Sequence, residues 1–137
     1  MGTQITPELS ENNKYYISKH RYYELLHFCR QYDEYQLEKT RLLDTYVRPS
    51  LKPSPYAVPN GDHTEKWAMK LADVDDKIQM IEECAIQADE ELSSYILMAV
   101  SGGIGYDIIN ARYGVPCSRN TFYDRYRKFF WLLDKRR

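Results

Sequence analysis

The apolar residues Trp67, Leu71, Val74, Ile78, Ile81, Ala85, Ala88, Leu92, Tyr95 and Ala99 step alternately by four and three. A strand repeats its apolar side chains every second residue, so this spacing predicts a helix with one apolar seam. Sustained from Thr64 to Ser101, the seam demands a second helix against it, and the small Ala85 and Ala88 allow close approach midway. That second helix belongs either to the same chain, as an antiparallel hairpin, or to another subunit in a homodimer. From Ile17 to Tyr46 a long helix of matching character is expected, with Tyr22, Leu25, Phe28, Tyr32, Tyr35, Leu42 and Tyr46 on one stripe, Lys39 interrupting it and Ser18 as N-cap. Four of the six prolines and an Asn60-Gly61 turn fall in Val47–His63, which therefore reads as the connecting loop.

The 137 residues thus read as an all-α protein in three parts. Residues 1–16 form a polar tail, 17–101 a long helical hairpin or coiled-coil segment with its proline-rich loop at 47–63, and 102–137 a C-terminal helix-turn-helix. Six glycines and six prolines are too few for a disordered or all-β chain. A chain of this size buries a modest core and has little room for an elaborate enzyme.

In the C-terminal part, Gly102 and Gly103 end the long helix, and a short helix spans Gly105 to Tyr113. Gly114 supplies the positive φ of the turn, and Val115 plugs the angle between helices. Ser118 is placed to cap a last helix that runs to about Asp134. There Phe122, Tyr126, Phe129 and Leu133 share a face by helical spacing and would close a small core against Ile108, Ile109 and Val115. The opposite face presents Asn120, Asp124 and Arg127, flanked by Tyr123 and Lys128. Asn120, Tyr123, Asp124 and Arg127 are candidates for contact with base edges; Arg119, Arg125, Lys128, Lys135, Arg136 and Arg137 are candidates for phosphate contact. Arg119 stands at the helix N-terminus, where free N–H groups and the dipole already favour an anion.

Charge supports this reading once the chain is divided. The net charge of −1 conceals nine acids against three bases over 64–101, a balance of −6, and eight bases against two acids over 112–137, a balance of +6. A basic end of this kind suits a polyanion, because Lys and Arg displace counterions from phosphates. The competing explanation is that the two segments neutralise each other within one fold.

Nothing points to an enzyme, a cofactor or a metal. His20, His27 and His63 are scattered, and Cys29, Cys84 and Cys117 form no close pair, as expected of reduced thiols in a cytosolic protein. Asp73, Asp75 and Asp76 read as a solvated acidic edge. The glycines of 101–105 lack the Lys-Ser/Thr of a phosphate loop. No apolar run is long enough for a membrane span, and the polar N-terminus lacks the core of a signal peptide, although Met1-Gly2 with Thr6 formally fits a myristoylation pattern.

The stretch IGYDIINARYGVPCSRNTFYDRYRKFFWLL, residues 104–133, resembles the helix-turn-helix of sigma-factor region four, and more narrowly that of small phage-encoded transcription regulators of the RinA and ArpU type. NGDHTEKWAMKLADVDDKIQMIEE, residues 60–83, is similar to the approach to the long helix in that group. The resemblance implies sequence-specific binding of double-stranded DNA in a bacterial host cell, with activation of late phage genes. Two departures stand out: the turn after Gly114 is longer than usual, and Asn110 occupies a position where a small residue normally packs. A different class also fits the architecture, namely a phage protein that docks its acidic helix on a host or defence protein, or on RNA polymerase, or that serves as a DNA-packaging adaptor.

Overall fold

The computed structural model describes residues 12–47 and 61–137, and every regular element among them is a helix. In chain order these are α1 (Lys19–Arg30), α2 (Tyr32–Val47), α3 (Gly61–Ala88), α4 (Ser93–Gly102), α5 (Tyr106–Tyr113) and α6 (Arg119–Arg136). The all-α class is as the periodicity predicts. Most of the expected loop, and the myristoylation pattern, lie outside the described residues; α3 begins at Gly61 rather than at Thr64.

Each of the two long helices expected from the sequence is broken once. The first breaks at Gln31, whose backbone N–H turns back to the Phe28 carbonyl at 3.2 Å instead of completing the helical bond. The freed His27 carbonyl is taken by the Gln31 side-chain amide at 3.1 Å, so the break leaves no orphaned group there. Ser18 occupies the N-cap position of α1, but its hydroxyl makes no capping bond.

The second break replaces the continuous helix expected over 64–101. Asp89 Oδ1 accepts the Leu92 N–H at 3.1 Å, and the Ser93 hydroxyl donates to the Glu90 carbonyl at 2.9 Å. A short acidic side chain competes with the helical backbone for its own hydrogen bonds. Asp89, Glu90 and Glu91 in succession are also poor company for a helix C-terminus and good company for the N-terminus that follows. Heptad spacing survives the break: Val74, Ile78, Ile81, Ala85, Ala88, Leu92 and Ala99 are all buried.

The chain divides into two compact units that differ from the expected parts. One comprises Asp33–Gln79. Within it α2 and the first part of α3 run antiparallel, as a hairpin: Lys77 Nζ lies over the Tyr35 ring, Lys39 Nζ pairs with Asp75 Oδ1 at 2.6 Å, and Trp67 Nε1 donates to the Leu42 carbonyl at 2.8 Å. Lys39, the interruption in the stripe, is thus a cross-helix partner. The other unit joins the chain up to Tyr32 with Met80–Arg137. Here α1 packs on α4 and α6, and α4, α5 and α6 pack on one another, so the C-terminal helices share a core with the N-terminal one.

That core is aromatic. Phe122, Phe129 and Leu133 of α6 are fully buried, as expected, with Phe130 beside them. Tyr22 of α1 meets Phe130 edge-on at 4.9 Å between ring centroids, and its hydroxyl shares a 3.0 Å hydrogen bond with that of Tyr126. Ile109 and Val115 are buried as predicted, whereas Ile108 is 38% exposed, because α5 turns only one side toward α6. Tyr15, expected in the polar tail, is instead buried and packs edge-on against Trp131.

Candidate nucleic-acid interface

The turn between α5 and α6 is built as the residues require. Gly114 has φ +71 and ψ 81, a left-handed conformation that costs a residue with a Cβ about 1–2 kcal/mol. Asn110 Oδ1 accepts the Val115 N–H at 2.9 Å, and the Tyr106 hydroxyl donates to the Cys117 carbonyl at 2.7 Å. The longer turn therefore has its own ties, and Asn110 stands where it does because its amide is one of them. Ser118 Oγ accepts the Thr121 N–H at 3.2 Å, the cap expected at the start of α6.

The ten candidate side chains separate into three groups. The first is exposed or half-exposed along α6. Arg119 and Asn120 are exposed, Asp124, Arg127 and Lys128 half-exposed, and neither Arg119, Arg127 nor Lys128 forms an ion pair with a described residue. Arg119 leans over the Tyr123 ring at 5.3 Å, near the first turn of the helix. Arg127 Nε is buried without a hydrogen-bond partner. That places the stem of Arg127 against the protein.

The second group is committed internally. Arg125 Nε lies 3.4 Å from Asp89 Oδ2, and its Nη1 donates to Asp124 Oδ2 at 3.2 Å. Arg136 Nη1 donates to Glu83 Oε2 at 2.8 Å, and the Arg137 guanidinium stacks over Phe28 at 3.8 Å. Lys135 Nζ lies 3.2 Å from the Trp131 ring centre. For Arg125 and Arg136, acidic and basic segments neutralise each other within one fold, the competing explanation of the charge pattern. A net charge counted along the sequence cannot distinguish a free cation from a paired one.

Tyr123 is the third case and a correction. It is only 8% exposed, and its hydroxyl accepts the Tyr106 N–H at 3.1 Å, at the start of α5. Helical spacing sets Tyr123 one step from Phe122, at the margin of the apolar face, and α5 covers that margin.

No group of three potential metal ligands occurs among the described residues. Cys29 and Cys84 are buried and Cys117 half-buried; burial pushes all three thiols above their ordinary range, away from the reactive thiolate. Among the described residues no helix is long and apolar enough to cross a membrane. The chain matches no protein-family model, and no curated protein and no solved structure is significantly similar to it.

Proposed function

We propose that the protein binds double-stranded DNA through the N-terminal half of α6, as a phage or prophage transcription regulator of the RinA and ArpU type acting in the bacterial cytoplasm. The observation that carries this reading is the sorting of cations on α6. Arg119 is exposed beside a capped helix start, Arg127 and Lys128 are half-exposed, and none of the three pairs with a carboxylate among the described residues, while Arg125 and Arg136 are held by acids. A cation without an acidic partner gains from a phosphate what a paired one has already gained within the fold. Asn120, on the same surface, adds a side chain suited to a base edge. The resemblance of residues 104–133 to region-four helix-turn-helix units supplies the regulatory part of the proposal.

The acidic-helix alternative has less to work with. Asp75, Glu83 and Asp89 are engaged by Lys39, Arg136 and Arg125, which lowers the negative charge left for a partner.

Fluorescence anisotropy with a labelled duplex tests the proposal. Binding is expected to weaken steeply with salt, and Arg119→Ala and Arg127→Ala are each expected to lower the slope of log K against log salt by about 0.9. Arg136→Ala is expected to leave that slope nearly unchanged. No duplex binding at low salt, with a host protein co-purifying through α3, would establish the alternative.

A further inference from the structure

We propose that Asp124 is a specificity-determining residue of α6: it accepts a hydrogen bond from the exocyclic amine of one base, cytosine N4 or adenine N6, in the major groove. The inference rests on the DNA-binding reading and goes beyond it, because it names what the surface selects.

A carboxylate is a poor choice for a surface that only holds phosphates, which repel it. Yet Asp124 lies among Asn120, Arg127 and Lys128 on α6, with its side chain 45% exposed. It is also aimed. Arg125 Nη1 holds Asp124 Oδ2 at 3.2 Å, and Asp89 Oδ2 lies 3.4 Å from Arg125 Nε. Asp89 is itself fixed, since its other oxygen accepts the Leu92 N–H at the α3–α4 turn. A chain of contacts thus runs from the scaffold to one oxygen of Asp124. The three side chains together carry two negative charges and one positive, so the Arg125 pairing orients the carboxylate without cancelling the negative charge of the group.

What such a carboxylate can bind follows from the groove. Ionised, it only accepts hydrogen bonds. In the major groove the donors are the amines of cytosine and adenine; guanine N7 and O6 and thymine O4 are acceptors and would repel it. Asp124 therefore excludes guanine and thymine at its position as well as favouring an amine. Asn120, one helical turn earlier, is free to read a neighbouring base.

Selection from a pool of random-sequence duplexes, followed by sequencing of the bound fraction, tests this. Wild-type protein is expected to enrich cytosine or adenine at one position, and the enriched base identifies which amine is read. Asp124→Ala is expected to reduce discrimination there about tenfold and to bind unrelated duplexes more tightly. If cytosine is the base, Asp124→Asn is expected to move the preference toward adenine, whose N6 and N7 an amide pairs with. Unchanged base preference in Asp124→Ala, or a uniform loss of affinity for every sequence, would overturn the inference while leaving DNA binding intact. Failure of wild-type protein to retain any duplex would remove the DNA-binding reading, and this inference with it.

Discussion

The hydroxyls of Tyr22 and Tyr126 meet inside the aromatic core, where burial pushes both phenols above their ordinary value; for Tyr22, the hydrogen bond shared with Tyr126 partly opposes that rise. The folded state therefore holds protons that the unfolded chain releases near the ordinary tyrosine pKa of about 10. The stabilising contribution is complete below that value and is lost as pH rises through it toward the folded-state values. Urea melts from neutral pH to about pH 11 are expected to show stability falling at the alkaline end, and less steeply in the double variant Tyr22→Phe with Tyr126→Phe. An equal fall in both proteins would show that other groups carry the alkaline loss. At this scale the sequence was legible where spacing alone decided burial, as at Phe122, Phe129 and Leu133. It was not legible at Tyr123, because a side chain at the margin of a face is buried or exposed according to its neighbour, and that neighbour is α5.

Helix ends were legible where a side chain or a glycine does the work locally. Gly103 and Gly114 take left-handed φ of 70 and 71, and Ser118 accepts the Thr121 N–H. Ser118→Ala is expected to cost about 1 kcal/mol of stability by chemical denaturation and to loosen the first turn of α6, which carries Arg119 and Asn120. Ser118→Asp, which keeps an acceptor at the cap, is expected to restore most of that loss. The two helix breaks were harder to see. Gln31 and Asp89 sit within uninterrupted apolar spacing, and neither is a glycine or a proline. Their side chains supply the hydrogen bonds that helical backbone gives up, and Asp89 then serves a second time by holding Arg125.

Across the molecule, the two units differ in what holds them. Among described residues, Asp33–Gln79 buries Tyr35, Val74 and Ile78, while the unit containing α1 and α4–α6 buries Leu25, Phe28, Ile96, Ile109, Phe122, Phe129 and Phe130 among others. Local opening becomes cheaper where fewer apolar side chains are buried. Hydrogen exchange read by mass spectrometry is expected to show amides of α2 and the first half of α3 exchanging well before those of α6. Equal protection throughout would mean that the two units open together.

The sequence by itself determined the helical class, the centre of the inward face of α6, the turn at Gly114 and the cap at Ser118. All of these depend on residue type and on spacing within a few turns of chain. Only the tertiary structure decided which cations of α6 are paired with acids, because pairing depends on carboxylates distant in the chain: Arg125 meets Asp89 and Arg136 meets Glu83, while Arg119, Arg127 and Lys128 meet none among the described residues. It also decided that the C-terminal helices share a core with α1, since the residues joining them, Tyr22 and Tyr126 among them, lie at opposite ends of the chain.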